Sequence, residues 1–536
     1  AVRLLVERDD RTVLPALHAL VRDETRPAVA RANAAHVLAG LGDLAAADLM
    51  AMLAAPEPQV REAAVRLAEP FVAANTAAAA EGDADTGKLA ATLVTLAGAE
   101  PEVSVRLALA IVAGGMADGP RVEIARTLLE RDGADPWCRY AVFTSLGGEA
   151  GRIVEAWLAD PQKFAAAGPA AALPGLVTQV GRRHDAGELS RIVAGIDRLA
   201  AAPAPGAADT RPEATALLLE LADGLAATGS DLATVEPQEE TQALVTRLAA
   251  FNLAVATDRS TTAARRVQAI RGLGLGSPES LAPLLVAEEP AEIVLAAIDA
   301  LDRSRDPAAG AVLAAAVATL PAEARQAATV ALVRNAARAG LLLDSIESGK
   351  VPAAEIDRQT AAALWAFPDK AVAARAVDVL GNPPPANREP LVVAYRASLP
   401  ARGEAAAGRE IFKRQCAACH RVEGEGREIG PSLAAVQSRG PDAILLGVLD
   451  PNREALPAFL AHAAVTADGR VVTGIVVAES DGSATLRTAE GADVTIPRAD
   501  LESFASTKRS LMPEGFEKTI DARGMADLIA YLMSAR

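Results

Sequence analysis

Apolar residues recur at helical spacing along most of the chain. From about residue 11 to residue 400, apolar helical patterns of about 12–16 residues alternate with short breaks at Pro, Gly and Asp. A phrase repeats within them: an acidic or Pro-containing turn, a β-branched residue, often an Arg, and then small residues ending at Leu. Clear copies carry Arg31, Arg61, Arg106 and Arg139. Arg31 and Arg61 lie 30 residues apart, and Arg106 and Arg139 lie 33 apart; where neighbouring copies are clear, a spacing of about 30–33 residues is the period of a helix-pair repeat.

Residues 1–400 are therefore expected to form a scaffold of helical repeats. Such helices cannot bury their apolar stripe alone, whereas stacked pairs form a continuous core in a curved α-solenoid. The pattern resembles HEAT repeats, and the resemblance implies a HEAT-like solenoid. Two roles are open for this scaffold: a surface that binds a protein partner, or a spacer that holds working modules apart.

The residues that carry chemistry are concentrated after residue 400. A short amphipathic helix is predicted there, and it runs into Cys416-Ala-Ala-Cys419-His420. Two thiols one helical turn apart can reach the two vinyl groups of one porphyrin, and the adjacent imidazole then lies under the iron. A redox dithiol would be expected in a βαβ context, and a zinc site would need further ligands, of which only His462 follows. The motif thus predicts one haem c, attached through Cys416 and Cys419 and ligated by His420.

The second axial ligand is expected among the methionines that follow. Met512 lies in a Pro- and Gly-containing loop, from which a thioether can turn back toward an iron. Met525 and Met533 lie in a predicted terminal helix, where Met more often packs in a core. We expect Met512 to be the distal ligand, with His462 or an open position as the alternatives. The terminal helix should cross the helix before the attachment motif at Gly408, where glycine permits close approach.

This part of the chain resembles class I cytochrome c. A Gly-Pro-x-Leu stretch follows the attachment motif at residues 430–433, and a Met-Pro pair precedes the terminal helix. The resemblance implies that the Pro431 carbonyl accepts the Nδ1–H of His420 and that Leu433 packs on the haem face. It also implies that Arg439 reaches a haem propionate; the alternative is a solvated arginine on a turn.

A small antiparallel β insertion is predicted inside this domain, because the stretch between His420 and Met512 is longer than a compact class I domain needs. Period-2 apolar patterning and Asp-Gly or Glu-Gly turns predict four strands. They are Ala463–Thr466, Val471–Val477, Ala484–Thr488 and Asp493–Ile496. The expected fold class is mainly α: a repeat scaffold over 1–400, then an all-α cytochrome c-like domain over 401–536 that carries the insertion at 461–498.

Motifs over about residues 403–536 resemble one family in particular. The chain has Ile-Phe-Lys before the cysteines, Leu-Asp-Pro-Asn-Arg, an Asp-Gly-Arg turn, Met-Pro-Glu-Gly and Met-Ala-Asp-Leu. This set is similar to the haem-binding c-type cytochromes of planctomycete- and verrucomicrobium-type bacteria. The resemblance implies electron transfer from a quinoprotein-type dehydrogenase domain or partner to a downstream acceptor protein. The alternative is an interaction scaffold whose haem is a sensor or a structural element.

Composition narrows the functional classes further. The net charge of −16 argues against nucleic-acid binding through phosphates, and no apolar run approaches the roughly 20 residues that span a bilayer. Hydrolase, metalloprotease, Walker and dinucleotide-binding motifs are missing in the required contexts, so no catalytic residue is assigned and any dehydrogenase domain is expected outside this chain. Haem c is attached outside the bacterial inner membrane. We therefore expect a periplasmic or otherwise exported protein whose signal lies upstream of Ala1.

Overall fold

A computed structural model describes residues 2–73, 84–201, 203, 209–433 and 436–534. The chain forms two compact units, Ala1–Leu248 and Ala249–Arg536, and both contain stacked helices. No helix among the described residues is long and apolar enough to cross a membrane.

The first unit consists of helices packed in two rows. Its helices are α1 (Val2–Glu7), α2 (Leu14–Arg22), α3 (Ala28–Gly40), α4 (Ala46–Leu53), α5 (Pro58–Val72), α6 (Ala84–Ala99), α7 (Val103–Ala113), α8 (Asp118–Asp132), α9 (Pro136–Ser145), α10 (Ala150–Leu158), α11 (Pro161–Ala165), α12 (Ala167–Arg183), α13 (Ala186–Leu199) and α14 (Arg211–Ala226); the division between the units falls in α15 (Gln238–Thr257). Helices α3, α5, α7 and α9 pack in sequence as one row, and α4, α6, α8 and α12 as the other. Each helix buries its apolar stripe against the next, as the repeat pattern predicts.

The second unit begins with the same kind of stacking. Its repeat helices are α16 (Ala263–Leu273), α17 (Ala291–Arg303), α18 (Ala308–Ala316), α19 (Ala322–Leu332), α20 (Ala336–Glu347), α21 (Arg358–Trp365) and α22 (Lys370–Leu380). Helix α17 packs on α19, and α18, α20 and α22 follow one another. Ile270, Leu301, Leu332 and Leu364 belong to one continuous buried core.

The recurring arginine ties consecutive repeats together. Arg61 Nη1 donates to the Ala55 carbonyl at 2.8 Å, and its Nη2 lies 2.7 Å from Glu100 Oε1. Arg106 then donates to the Glu100 carbonyl at 3.0 Å and pairs with Asp132 at 2.6 Å. These carbonyls follow helix ends, where the last C=O groups lack partners within the helix. The same bond to a carbonyl of the preceding segment recurs at Arg31, Arg139 and Arg266.

The last part of the second unit is a small helical domain. It contains α23 (Glu389–Ser398), α24 (Ala405–Gln415), α25 (Pro441–Leu449) and α26 (Ala522–Ser534), with a short hairpin of β1 (Arg421–Val422) and β2 (Glu425–Gly426). Phe412, Leu445 and Leu528 share one core. Helix α23 precedes residue 400, where the repeat scaffold is expected to end, but its Val392 is buried in this same core.

Helices α24 and α26 cross at glycine, which confirms the prediction for Gly408. A Cβ atom at Gly408 would lie 1.9 Å from the carbonyl oxygen of Asp527, so no larger residue fits this crossing. The Phe412 and Tyr531 rings pack together with centroids 5.7 Å apart. The crossing closes one end of the core that contains the attachment motif.

A five-stranded antiparallel sheet is inserted between α25 and α26. Its strands are β3 (Leu460–Thr466), β4 (Val471–Glu479), β5 (Ser483–Thr488), β6 (Asp493–Pro497) and β7 (Leu501–Ser510), in the order β6-β5-β4-β3-β7. Four strands agree with the sequence prediction within a few residues. Strand β7 is not predicted, and the sheet therefore continues beyond residue 498 to Ser510.

The burial of the tryptophans agrees only in part with what the sequence predicts. An apolar helical setting predicts a core position for each tryptophan. Trp157 is buried, but Trp137 is 74% exposed and stacks edge-on with the exposed Tyr140. The prediction for Trp137 is wrong because its position on α9 turns the ring away from the neighbouring helices. Cys138, the next residue, is buried, and burial raises the pKa of its thiol to about 11.

Candidate functional site

The two cysteines and the histidine lie on one turn at the end of α24. The amide of Cys416 donates to the Phe412 carbonyl at 2.8 Å, so the helical ladder continues to this residue. The amides of Cys419 and His420 both donate to the Cys416 carbonyl, at 3.1 and 2.9 Å. This turn places both side-chain sulfurs and the imidazole on a single short segment, as covalent porphyrin attachment requires.

Both thiols are free and protonated at neutral pH. Burial raises the pKa of Cys416 to about 12, although Arg358 acts in the opposite direction. Burial also raises the pKa of Cys419. A reactive dithiol has a lowered pKa instead. Among the residues that the structure describes, no three His, Cys, Asp or Glu side chains come together as ligands of a metal ion, so the zinc alternative gains no support.

His420 is held by the hydrogen bond expected from the resemblance. Its Nδ1 lies 2.9 Å from the Pro431 carbonyl oxygen, so Nδ1 carries the proton and Nε2 keeps its lone pair. Burial lowers the pKa of His420, which favours the neutral imidazole that binds a metal; the bond to Pro431 acts in the opposite direction. A Cβ at Gly430 would lie 2.6 Å from Cε1 of this ring, so glycine leaves the space that the imidazole occupies.

The loop that carries Pro431 folds back on the attachment turn. The amides of Ile429 and Gly430 both donate to the Cys419 carbonyl, at 3.0 and 2.8 Å. The amide of Leu433 donates to the Arg421 carbonyl at 3.0 Å. Three backbone bonds therefore fix the loop that presents the Pro431 carbonyl to the imidazole.

Met512 lies two residues after the end of β7. Its amide donates to Ser510 Oγ at 3.1 Å. Its side chain is partly buried against the core of the small helical domain, and Cys416 and Leu433 pack against the same core. The structure thus brings the predicted thioether, attachment cysteine and face-packing leucine to one apolar cluster.

The side chain of Asn452 holds both ends of the loop that carries Met512. Asn452 Oδ1 accepts from the Ser510 amide at 2.8 Å, and its Nδ2 donates to Glu514 Oε1 at 2.5 Å. Arg509 pairs with the other oxygen of Glu514 at 3.0 Å. Sequence reasoning did not single out Asn452 for this role; its only signal was the Leu-Asp-Pro-Asn-Arg stretch that contributed to the family resemblance.

The other residues considered as haem contacts or ligands in the sequence are Arg439, His462 and Met525. Arg439 pairs with Glu454 at 2.8 Å, and its side chain is 58% exposed. His462 lies in β3 with its ring stacked on Phe504 at a centroid distance of 5.4 Å. Met525 is fully buried in the helical core, as expected for a packing methionine.

The inserted sheet contacts both neighbouring parts of its unit. Its β3–β4 turn reaches the repeat helices, where the Val471 amide donates to the Arg334 carbonyl at 2.6 Å. Its β5–β6 turn reaches the attachment segment, where Arg427 Nη1 donates to the Glu490 carbonyl at 3.1 Å. The sheet therefore contacts the segment that follows the attachment motif, and its last strand ends two residues before Met512.

These residues fit a haem c. Two unpaired thiols are available for thioether bonds, and the imidazole of His420 has Nε2 free of hydrogen bonds from the described residues. The thioether of Met512 lies against the same core as Cys416. Imidazole nitrogen with thioether sulfur is a donor set that proteins use for haem iron.

Comparisons with known proteins agree with the prediction of a cytochrome c-like domain in this part of the chain. Residues 405–457 match the family Cytochrome c, and no curated protein matches the chain. Among solved structures, the crystal structure of Kap121p is similar with a TM-score of 0.38 and 11% identity over 83% of this chain and 46% of that one. The crystal structure of importin beta in an ammonium sulfate condition is similar with a TM-score of 0.24 and 14% identity over 84% of this chain and 61% of that one. The chain thus spans less than two thirds of these structures. The described residues form a mainly α fold of stacked helices, and the match to the Cytochrome c family lies near the C-terminal end of the chain.

Proposed function

We propose that this chain is an electron-transfer protein with one haem c, attached through Cys416 and Cys419 and ligated by His420 and Met512. The observation that carries the proposal is the 2.9 Å contact between His420 Nδ1 and the Pro431 carbonyl, next to two free thiols on one turn. This contact fixes the tautomer that leaves Nε2 available to iron. When bound, the haem supplies reversible one-electron chemistry.

The residues of the chain bind, orient and shield this group. Pro431 and its loop hold the imidazole plane, and Leu433 presents an apolar side chain to the same cluster. Asn452 keeps the loop of Met512 in place from both sides. A thioether ligand raises the reduction potential relative to a second histidine, and a filled sixth position favours outer-sphere electron transfer over substrate chemistry.

The partners in this proposal are redox proteins. The family resemblance points to a quinoprotein-type dehydrogenase as electron donor and to a separate protein as acceptor. Covalent attachment of haem c takes place outside the inner membrane, so a periplasmic or otherwise exported location belongs to the same proposal. In this arrangement the chain carries electrons and contributes no catalytic residue.

The experiment is redox-resolved absorption spectroscopy on protein matured with haem. We expect pigment that survives acid–acetone extraction, and a sulfur–iron band in the ferric form. Met512→Ala should keep the pigment, lose that band, lower the midpoint potential and admit carbon monoxide to the ferrous form.

Met533→Ala is the matched control, because this methionine is 37% exposed on the terminal helix; its spectrum should equal that of the unaltered protein. No retained pigment would refute the haem proposal. Identical spectra for Met512→Ala and the unaltered protein would refute the sixth ligand, and ready binding of carbon monoxide to the unaltered protein would favour the sensor alternative.

A further inference from the structure

One cation of the repeat helices reaches the haem attachment motif. Arg358 is the first residue of α21, and its side chain extends to the small helical domain. Its Nη2 donates to Gln415 Oε1 at 2.6 Å, and its Nη1 donates to Thr519 Oγ1 at 2.9 Å. The guanidinium carbon lies 4.4 Å from the centroid of the Phe516 ring.

The charge of this arginine is not cancelled by an ion pair. Both side-chain hydrogen-bond acceptors are neutral, and no carboxylate among the described residues lies within ion-pair distance of its guanidinium. Burial lowers the pKa of Arg358, and the more distant Glu517 and Asp357 oppose this effect. Arginine remains protonated in proteins. The site therefore contains a half-buried positive charge without a direct counter-ion.

The position of this charge is defined by two segments of the proposed site. Gln415, whose Oε1 accepts from Arg358, directly precedes Cys416 in the chain. Phe516 belongs to the core against which Cys416 and Met512 pack. Arg358 thus lies between the segment that attaches the porphyrin and the segment that follows the sixth ligand.

We propose that Arg358 is a potential-setting residue, supplied by the repeat scaffold, that raises the reduction potential of the haem; this inference rests on the proposed function. Reduction by an external one-electron donor adds one electron to ferric iron and removes one positive charge from the site. A fixed cation nearby disfavours the ferric form more than the ferrous form, and partial burial strengthens this difference because the local dielectric constant is below that of water. The scaffold then has an electrostatic role in addition to any role as a spacer.

The test compares midpoint potentials of full-length holoprotein variants by spectroelectrochemical titration. Arg358→Gln removes the charge and keeps an amide that can hydrogen-bond, so its midpoint potential should shift to a lower value. Arg358→Lys keeps the charge and should remain near the unaltered protein. Arg396→Gln is the matched control, since Arg396 is 49% exposed and already paired with Asp442; it should leave the potential unchanged. The shift in Arg358→Gln should persist at high salt, because ions screen half-buried charges poorly.

Three results would overturn the inference. One is an unchanged potential in Arg358→Gln; another is a shift equally large in Arg358→Lys. The third is loss of the sulfur–iron band in Arg358→Gln, which would mean that the residue acts through ligation. If Arg358→Gln does not fold, Gln415→Glu gives the arginine a direct counter-ion, and an unchanged potential there would also refute the inference. Absence of covalently bound pigment in the unaltered protein would instead refute the proposed function.

Discussion

The side chain of Asn452 bonds Glu514 across the loop that carries Met512. Its Nδ2 donates to Glu514 Oε1 at 2.5 Å, while its Oδ1 accepts from the Ser510 amide at 2.8 Å. The Glu514 side chain is 6% exposed, so water cannot readily replace this bond. One side chain from the turn after α25 therefore fixes both ends of the loop.

We predict that Asn452→Ala weakens the bond between Met512 and iron without removing the haem. Loss of a partner for buried polar groups costs about 1–3 kcal/mol, so an added ligand such as imidazole should displace the thioether at about 5- to 150-fold lower concentration. Spectrophotometric titration of the ferric protein measures this. Asn387→Ala, which removes only an exposed cap on the Glu389 amide, should bind imidazole as the unaltered protein does. Equal affinities in both variants would contradict the role of Asn452.

The crossing of α24 and α26 predicts a large difference between two glycine substitutions. Gly408→Ala would place a Cβ 1.9 Å from the Asp527 carbonyl, so the helices must separate, at a cost of about 1–3 kcal/mol or more. Gly447→Ala, inside α25, meets no atom within 4 Å and should be neutral or stabilise by up to about 1 kcal/mol, because alanine favours helix. Urea unfolding of the holoprotein, followed by haem absorption, measures both. Equal stability of the two variants would be incompatible with the close crossing.

Local sequence predicted the parts of the site that lie close together in the chain. The attachment motif, the bond from His420 to Pro431 and the glycine crossing all follow from short motifs or from the family resemblance. Strand β7 was missed because its burial repeats at about every third residue instead of alternating, since it is an edge strand paired only with β3. Short-range alternation cannot identify such a strand.

Contacts between distant residues could not be predicted from the sequence. Arg358 and Gln415 lie 57 positions apart, and Asn452 and Ser510 lie 58 apart. Neither pair has a spacing or composition that marks it. The exposure of Trp137 could not be predicted for a related reason: an apolar helix pattern does not show which face of the helix the neighbouring repeats cover.

The contacts of His18 with two aspartates in the first unit predict a pH-dependent contribution to stability. His18 Nε2 lies 2.9 Å from Asp43 Oδ2, and its Nδ1 lies 2.7 Å from Oδ2 of the buried Asp48, which also pairs with Arg22. The hydrogen bond to Asp43 is the main cause that raises the pKa of His18, the bond to Asp48 adds to it, and burial opposes both. A raised folded-state pKa gives stability that is complete below the unfolded-state pKa of about 6.5 and is lost as pH rises through the folded-state value.

His18→Gln should therefore lower local stability more at about pH 5.5 than at about pH 8.5. Hydrogen exchange protection of α2, corrected for the intrinsic pH dependence of exchange, measures this locally. His36→Gln alters an exposed histidine in the neighbouring helix α3 and should show no such difference. A pH-independent loss in His18→Gln would mean that the ring contributes only packing.

The link between Arg61 and Glu100 should be among the strongest single contributions to the first unit. Two bonds of 2.8 and 2.7 Å join the guanidinium to the carboxylate, and Glu100 is 1% exposed. Burial alone would raise the pKa of Glu100, but the bonds from Arg61 and from the Glu102 amide outweigh it, and the pKa lies below the usual value. The stabilisation is thus present above the unfolded-state pKa and is lost as pH falls through the folded-state value.

Glu100→Gln should destabilise the first unit by about 3 kcal/mol at neutral pH, because it leaves the largely buried Arg61 without a counter-charge. Urea unfolding measures the loss of stability, and hydrogen exchange protection of α5 and α6 shows where in the unit the loss occurs. Glu62→Gln removes the partner of Arg66, which is 58% exposed, and should cost at most about 0.5 kcal/mol. The difference between the variants should begin to shrink as pH falls below the unfolded-state pKa of about 4.3, and it should vanish only below the lowered folded-state pKa of Glu100, where the charge that Glu100→Gln removes is already lost. Similar losses in both variants at neutral pH would show that the repeats are held by apolar packing alone.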